Sequence, residues 1–344
     1  MLSETNQPRD RRTLTVVVPV FNERAKIART LEAADAAVSN SGFHADFIVV
    51  DDGSTDGTAD AAKTAKLESR LEVISQPNSG RVPARRAGLA AATGEFVLFL
   101  DSRTVLEPDS LAFVRRRLAE GELVWNGHVV IDTAGNPYAK FWKVVTHLAW
   151  AEYLAKPRTT SFDSSNFDHY PKGTTCFLAP TQLFRESFRH LNSYFADERH
   201  ASDDTPTIRW IASQQPIHIS PEFACSYTAR TTFKGFIRHA FDRGAVFLDG
   251  HGRRQSRFFP VVIAFYPLSL IALAIGVRRP RLAALSAAAG LGAAAGVALV
   301  RGFEPSEAAS FAALAPVYVA AHGLGMWRGL GMLLAARLKR AKAI

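Results

Sequence analysis

The sequence predicts an α/β fold, in which a mostly parallel sheet carries helices on both faces and a membrane region follows. β-branched runs and helical segments alternate regularly over residues 13–101, and such alternation is typical of a parallel sheet. Three apolar windows without charged residues follow residue 257, each about as long as a bilayer-spanning helix. With 344 residues, 47% of them hydrophobic, the chain is long enough to bury a sizeable core.

Strands are predicted where β-branched and aromatic residues run continuously, and helices where apolar residues recur at three- and four-residue spacing. In order, the predicted elements are TLTVVVPVF, a helix within Ile27 to Val38, DFIVVDDGS, a helix through Ala59 to Lys66, LEVISQ, a helix through Val82 to Ala92, and EFVLFLD. The later segment from Lys156 to Gly173 is polar and rich in turn formers, so a mobile loop over a site is expected there.

Charge and cysteine content exclude several classes of protein. The net charge of +9 is uneven, because seven Lys or Arg between Arg230 and Arg257 face only Asp242 and Asp249. This basic excess lies beside the apolar windows, which favours an anionic membrane surface over a nucleic acid. Cys176 and Cys225 show no Cys-x-x-Cys spacing, so neither a zinc site nor a disulfide framework is indicated.

The apolar windows predict a multi-pass protein of a bacterial-type inner membrane. They run from Phe258 to Val277, from Leu282 to Val300 and from Ala308 to Met326. The N-terminal MLSETNQPRDRR lacks an apolar run, so the front of the chain is expected in the cytoplasm. Three crossings would place the basic tail ARLKRAKAI outside, against the positive-inside tendency, whereas a first window made interfacial by its prolines would leave two. The count stays at two or three.

The predicted organisation has four parts. These are a polar tail over residues 1–12, an α/β domain over 13–228, a basic amphipathic segment over 229–257 and the membrane region over 258–344. Within the third part, FKGFIRHAFDRGAVF spaces its apolar residues three and four apart with basic residues between them. This helix is predicted to lie on anionic headgroups, and the alternative is a surface helix packed on the domain.

Residues just after each strand are expected to contact the ligand, because ligands of such sheets bind beyond the carboxyl ends of the strands. After the first strand, Phe21 can lie against a base while Asn22 and Glu23 cap the next helix. After the second strand, Asp51 and Asp52 can accept hydrogen bonds from a base imide or a ribose hydroxyl.

Four motifs, in this order, resemble the family-2 inverting glycosyltransferases of the GT-A fold: VVVPVFNE, VVDDGSTDGT, QPNSGRVPARRAGLAAATGEFVLFLDS and ASDDTPTIRW. The resemblance runs from Thr13 to about Trp210. The positions that it assigns to the donor are as follows. Pro19, Phe21 and Glu23 surround the nucleoside, Asp52 reads the base with Asp51 beside it, and Asn78, Gly80 and Arg85 approach the diphosphate and the donor sugar.

Asp101 matches the first Asp of the metal-binding Asp-x-Asp motif of the family, but Arg103 stands where the second Asp is expected. Two unit charges roughly 4 Å apart interact by about 4 kcal/mol at an effective dielectric of about 20, so this exchange should weaken binding of Mg²⁺ or Mn²⁺. Either Arg103 neutralises the diphosphate, or it turns away, for example toward Glu107, while Asp101 holds the ion with another ligand such as His200. A third interpretation is loss of catalysis.

The pair Asp203 and Asp204 matches the position of the catalytic base in the family, and the resemblance assigns the proton transfer to Asp204. A carboxylate there can accept the proton of an attacking hydroxyl. The alternative is that this pair caps the helix that starts near Thr205.

The resemblance implies an inverting enzyme that transfers one sugar from a nucleotide-sugar donor, with a UDP-sugar favoured, in glycan or glycolipid synthesis. The acceptor is expected to be membrane-held and lipid-linked. Processive relatives carry Gln-x-x-Arg-Trp on an interfacial helix, whereas the comparable region reads IRHAFDRG, so a non-processive reaction is predicted. The rival interpretation is a membrane-anchored nucleotide-sugar binding or scaffolding protein without turnover, suggested by Arg103.

Overall fold

The structure is a computed structural model that describes residues 12–202 and 204–342. Within those residues, nine strands form one mixed sheet in the order β3-β2-β1-β4-β8-β6-β9-β5, with β7 paired to β9. Their bounds are β1 Thr13–Val20, β2 His44–Asp51, β3 Arg70–Ser75, β4 Phe96–Leu100, β5 Thr104–Leu106, β6 Trp125–Asp132, β7 Thr160–Phe162, β8 Cys176–Pro180 and β9 Ile217–Thr228. The first four strands are parallel, and β8 pairs antiparallel with β4.

The helices of the described chain flank this sheet and extend beyond it. Their bounds are α1 Ile27–Ser39, α2 Thr58–Lys63, α3 Arg81–Ala91, α4 Ser110–Ala119, α5 Pro137–Ala149, α6 Ala151–Leu154, α7 Thr181–Arg189, α8 Asp204–Gln214, α9 Phe233–His251, α10 Phe259–Arg278, α11 Pro280–Val300 and α12 Pro305–Lys342. The predicted fold class, an α/β domain followed by long apolar helices, is confirmed.

The core lies on both faces of the sheet, because successive residues of a strand point to opposite faces. Val16 and Val18 of β1 pack with Leu31 of α1, whereas Val17 packs on the other face with Leu89 of α3. All five residues of β4 are buried, as expected for a central strand covered by helices on both faces. The carboxyl ends of β1, β2 and β4 therefore come together at one rigid edge.

The segment from Lys156 to Gly173 is more ordered than the sequence predicts. It contains β7, which pairs with β9, and a 3-10 turn over Phe167–His169. Phe162 and Tyr170 are buried and stack with their ring centroids 5.1 Å apart. The segment is therefore not one continuous loop, because buried aromatic side chains anchor parts of a polar sequence.

Within residues 12–202 and 204–342, three helices are long and apolar enough to cross a membrane, namely α10, α11 and the part of α12 up to Lys339. The first turn of α10 packs beside α9, where Val262 is buried with Leu248 and Met326. α11 returns to α5, where Ala298 is buried with Val144 and Ala308. α10 and α11 thus form a hairpin whose two ends both lie against the rest of the protein.

α12 packs on the protein over a long stretch. Its buried Glu307 pairs with Lys143 of α5 at 2.6 Å, and its glycines meet those of α9 backbone to backbone. The apolar face of α9 is likewise covered, with the ring of Phe236 5.2 Å from that of Phe141 on α5, while Lys234 and Arg238 are exposed. The packing alternative therefore holds for the apolar face of α9.

Candidate active site

Asp101 lies directly after β4 at the carboxyl edge of the sheet. Its Oδ1 accepts a hydrogen bond from Arg85 Nη2 at 2.8 Å, and its Oδ2 accepts one from Thr175 Oγ1 at 3.0 Å. The backbone N–H of Asp101 donates to the carbonyl of Thr175 at 2.8 Å, which ties β4 to the start of β8. The side chain remains 33% exposed, so its carboxylate is accessible to a ligand.

Arg85 is the central cation of the site. It projects from α3, is 1% exposed, and places its guanidinium 5.8 Å from the centre of the Phe99 ring. Its charge acts on both Asp101 and Asp204. Pairing with Asp101 satisfies the requirement that a buried charge be paired, and the charge of Asp204 adds to the stabilisation of the guanidinium.

Asp204 is the first residue of α8, and its Oδ1 accepts hydrogen bonds from the N–H and the hydroxyl of Thr174. Burial alone would raise the pKa of Asp204, but the charges of Arg85 and Arg81 outweigh it, and the pKa lies below its ordinary value. The carboxylate is therefore ionised at neutral pH. The hydrogen bonds that Asp204 makes within the described chain go to Thr174 instead of to amides of α8, which weighs against a capping role. Asp203 lies outside the described residues.

Arg103 pairs with Glu23, not with the Glu107 considered from the sequence. Glu23 is 6% exposed, and its Oε1 accepts hydrogen bonds from Arg103 Nε at 2.6 Å and from Arg230 Nη1 at 3.0 Å. Lys26 Nζ lies 3.6 Å from the other oxygen of Glu23. Three cations thus surround one carboxylate, so the cluster carries an excess of positive charge.

His200, considered from the sequence as a second metal ligand, has other partners. Its Nδ1 lies 3.2 Å from Asp197 Oδ2, and its Nε2 lies 2.6 Å from Arg328 Nη2 on α12. Both ring nitrogens are engaged, so His200 does not join Asp101 in a metal site.

Asp52 organises the loop between β3 and α3. Its Oδ1 accepts hydrogen bonds from Gln76 Nε2 at 2.7 Å and from Ser79 N at 2.8 Å, and its Oδ2 accepts one from Gly80 N at 2.8 Å. Asp51 accepts a hydrogen bond from the N–H of Ser54 at 3.1 Å. Both acids are buried at the end of β2, so they shape the loops beside the predicted nucleoside position.

The remaining predicted donor residues occupy the same edge. Pro19 lies near the end of β1, and Phe21, just beyond it, is 45% exposed, which is high for a phenyl ring and suits stacking against a base. Asn78 accepts a hydrogen bond from Arg199 at its carbonyl. Gly80 adopts φ +99°, and a Cβ there would lie 2.5 Å from Arg199 Cα, so a larger residue does not fit.

Sequence reasoning missed several residues of the site. Thr174 donates a hydrogen bond to Asp204, and Thr175 donates one to Asp101. In the sequence, these two residues are marked only as a Thr-Thr pair directly before a buried strand. Arg230 was counted only as part of a basic stretch. His239 of α9 also lies near the site, where burial, Arg243 and Arg230 together hold its pKa well below the ordinary value, so the ring is uncharged.

The described side chains do not by themselves complete a metal site. Both oxygens of Asp101 already accept hydrogen bonds, and Arg103 is turned toward Glu23. Among residues 12–202 and 204–342, no group of three His, Cys, Asp or Glu side chains could hold a metal ion. The expected cation site at Asp101 is therefore reduced to a single, already engaged carboxylate.

The family model for glycosyl transferase family 2 matches residues 15–188, which include β1 to β4, Arg85 and Asp101. The chain belongs to glycosyl transferase family 2. The matched region ends before Asp204.

Relatives within this family match only part of the chain. EpsH of Bacillus subtilis is 36% identical over 97 residues, which are 28% of the chain and 27% of EpsH. The dodecaprenyl-phosphate galacturonate synthase of Rhizobium johnstonii is 32% identical over 122 residues, 35% of the chain and 36% of that protein. The matched stretches thus cover only about a third or less of these relatives.

A solved structure shares the fold over almost the whole chain. The structure of Staphylococcus aureus TarS 1-349 in complex with UDP-GlcNAc matches with a TM-score of 0.50 at 17% identity, covering 95% of this chain and 92% of that one. At this identity the likeness supports the GT-A fold, in agreement with the prediction from the motifs.

Proposed function

We propose that the protein is an inverting glycosyltransferase that moves a single sugar from a UDP-sugar to a membrane-held, lipid-linked acceptor. The observation that carries the proposal is the buried Arg85, which pairs with Asp101 at 2.8 Å and whose charge also acts on Asp204. It brings together a residue at the predicted diphosphate position and a residue at the predicted base position. Family membership and the apolar C-terminal helices support the same proposal.

The donor is proposed to bind at the carboxyl edge of β1, β2 and β4. Phe21 stacks on the base, and the loops held by Asp51 and Asp52 surround the nucleoside. The diphosphate lies near Arg85 and the cluster of Arg103, Arg230 and Lys26, whose charge exceeds that of Glu23. Guanidinium groups bind phosphate oxygens bidentately, so they can stabilise the charge that develops on the leaving group.

Asp204 is proposed to accept the proton of an acceptor hydroxyl. Arg85 and Arg81 keep it ionised in the free protein, which favours the correct protonation state but makes it a weak base. A bound diphosphate would offset part of that positive charge, so donor binding should raise the pKa of Asp204. The base then becomes stronger when the donor is in place.

The part played by a divalent cation remains a prediction, with Asp101 as the protein ligand. Mg²⁺ is often held by one or two carboxylates together with substrate phosphates, and it would supply Lewis-acid stabilisation of the leaving group. Because Arg103 and Arg230 already bring positive charge to the site, we expect transfer to depend less on the cation than in enzymes with two acids at this position.

The acceptor is proposed to reach the site from the membrane. The relative from Rhizobium johnstonii is named for a prenyl-phosphate acceptor, which supports a lipid carrier in general terms. An ionised phosphate needs no base, whereas the position of Asp204 favours a hydroxyl, for instance on a lipid-linked saccharide. The catalytic domain is proposed to face the cytoplasm, and the altered interfacial motif favours a non-processive reaction.

The experiment that tests this function is transfer of labelled sugar from a panel of UDP- and GDP-sugars into solvent-extractable lipid. Membranes containing the wild-type chain are compared with membranes containing Asp101→Asn and, as a matched control, Asp109→Asn, whose side chain is exposed. We expect incorporation from one donor in the wild type and the control and its loss in Asp101→Asn. Nucleotide-sugar binding without incorporation from any donor would favour the scaffolding protein.

A further inference from the structure

A cavity of about 460 Å³ lies between α8 and the connection from α9 to α10. One face of α8 forms its wall, since Thr205, Pro206, Arg209, Trp210 and Ser213 all line it. This wall begins one residue after Asp204. Neither Asp101 nor Arg103 lines the cavity. It is therefore a second site, adjacent to the proposed base.

The chemistry of the lining is polar and cationic. Arg209 and Arg253 line the cavity, and none of the described lining residues carries a carboxylate. Trp210 stacks on His190 with ring centroids 5.0 Å apart and an interplanar angle of 14°, which makes a rigid aromatic wall. Such a combination of guanidinium groups with serine and amide side chains suits an anionic, oxygen-rich group.

The cations near this cavity outnumber the acids. Asp168 is buried and accepts hydrogen bonds from Arg209 Nη2 at 3.0 Å and from the N–H of Arg257 at 2.9 Å. Lys172 and Arg209 lie over the Phe167 ring, each 4.2 Å from its centre. Burial, with further contributions from Arg209 and Arg257, lowers the pKa of Lys172 to about 7 although Asp168 opposes the shift. An anion here would relieve this crowding of positive charge.

The position of the cavity points to a ligand that arrives from the membrane. Gln255 and Ser256 line it, and α10, which is apolar enough to span a bilayer, begins three residues after Ser256. From Gly250 to Phe303 the sequence contains no Asp or Glu. The basic rim thus lies where phosphorylated headgroups accumulate.

We propose that this cavity binds the phosphate group of a membrane-borne ligand. The assignment of that ligand as the sugar acceptor rests on the proposed function: its phosphate would lie against Arg253, and its hydroxyl would reach Asp204 past the first turn of α8. The binding itself is independent of sugar transfer.

The test is a binding titration of the full-length, detergent-solubilised protein, without any donor. The probes are inorganic phosphate, dihexanoyl phosphatidic acid and dihexanoyl phosphatidylcholine, and the signal is intrinsic tryptophan fluorescence, with Trp210→Phe identifying the contribution of the cavity. Three variants are compared with the wild type: Arg253→Gln, Ser213→Phe, which fills the cavity, and the matched control Arg254→Gln, whose side chain is exposed and does not line the cavity.

We expect saturable binding of phosphatidic acid to the wild type and to Arg254→Gln, with affinity at least about tenfold weaker in Arg253→Gln and in Ser213→Phe. If inorganic phosphate competes at similar concentration, the phosphate alone is recognised; if it does not, the lipid chains contribute. Equal binding in Arg253→Gln and Arg254→Gln, unchanged binding in Ser213→Phe, or no saturable binding of either phosphate probe would overturn the proposal.

A second readout separates this proposal from the proposed function. In the transfer assay, Arg253→Gln should raise the KM for the lipid acceptor and leave the KM for the donor unchanged. Phosphate binding with no transfer activity would retain the cavity and reject the glycosyltransferase. Transfer with an unchanged acceptor KM would retain the enzyme and reject the cavity as its acceptor site.

Discussion

Glu23 holds together parts of the chain that are far apart in sequence. It accepts hydrogen bonds from Arg103 after β4 and from Arg230 before α9, at 2.6 and 3.0 Å. This arrangement explains how Arg103 is accommodated at the edge of the sheet: its charge is balanced by a buried acid that the motifs assigned to the nucleoside. Arg103 is therefore held in a defined position by a buried ion pair, which argues against simple loss of catalysis.

We expect Glu23→Gln to destabilise the detergent-solubilised protein by about 2 to 3 kcal/mol, because it leaves three cations without their carboxylate. This expected loss of stability is at the low end for breaking a buried ion pair, because Arg230 is 42% exposed. Chemical denaturation of the variant measures the loss, and exposed Glu107→Gln is the control. In the double variant with Arg103→Gln, part of the stability should return; strictly additive losses would show that the two side chains are not coupled.

Lys172 makes stability depend on pH. Its pKa is lowered to about 7 in the folded protein, mainly by burial, from an ordinary value of 10.5. Between those values the unfolded chain binds one more proton than the folded one, so stability should rise with pH above about 7, by at most about 1.4 kcal/mol per pH unit. Below pH 7 both states are protonated and this term is constant.

Melting temperatures at pH 6.5, 8 and 9 check this expectation in the wild type, in Lys172→Met and in the exposed control Lys156→Met. The wild type and the control should gain stability with rising pH relative to Lys172→Met. The same pH dependence in all three proteins would mean that Lys172 keeps its proton throughout this range.

Single residues show what the sequence could and could not predict about the site. Arg85 lies in α3 and Asp101 directly follows β4, the next strand of the same motif, so their proximity could be predicted from local order. The partners of Arg103 and Asp204 could not, because Glu23 and Thr174 are 80 and 30 residues away in sequence. Asp52 was predicted to read a base, and its three hydrogen bonds to the loop before α3 were not foreseen.

At the scale of elements, α9 and α12 are joined by close backbone contact. A Cβ on Gly244 would lie 2.2 Å from the carbonyl oxygen of His322, and a Cβ on Gly325 would lie 1.9 Å from that of Phe241. The two helices approach this closely only because both positions are glycine. This contact fixes α12 beneath α9, near the site and the cavity.

We expect Gly244→Ala to lower the melting temperature, because the added methyl group forces α9 and α12 apart. Gly290→Ala in α11 is the control, since a Cβ there meets no atom within 4 Å. Alanine is otherwise favoured over glycine in helices by about 1 kcal/mol, so the control should be neutral or stabilised. A melting temperature that rises in Gly244→Ala would contradict the close packing.

Elements with strong periodicity or high hydropathy were predictable, and those held by long-range contacts were not. Continuous runs of β-branched and aromatic residues indicated the parallel strands of the front of the chain, and uncharged windows indicated α10 to α12. By contrast, β7 is three residues long and depends on pairing with β9. α12 extends well beyond its window, and beyond Met326 it still packs on α9, where a Cβ on Gly329 would lie 3.1 Å from the Cα of Ala245.

At the scale of the whole molecule, the hairpin of α10 and α11 constrains the topology. Its turn at Arg279 is exposed, whereas Arg301 lies at the end that returns to α5. A 20-residue helix rises about 30 Å, which matches the thickness of the hydrocarbon core. The hairpin is therefore long enough for two crossings, and α12 packs on α5 and α9.

Cysteine accessibility tests this topology, and the buried native Cys176 and Cys225 give a low background. Arg279→Cys should react with a membrane-impermeant maleimide in right-side-out vesicles, and Arg301→Cys should react only in inside-out vesicles. Labelling of both positions from the same side would show that the hairpin does not cross the membrane.

The central claim is that Asp204 takes the proton of the acceptor at a site where Arg85 links it to Asp101. The most direct measurement is the rate of sugar transfer by Asp204→Asn, with the Kd for UDP measured in the same preparation and Asp109→Asn as the control. We predict a fall in rate of about 10²- to 10⁴-fold with an unchanged Kd for UDP. A variant that binds UDP normally and transfers sugar at the wild-type rate would contradict this claim, and it would indicate an acceptor, such as a phosphate, that needs no base.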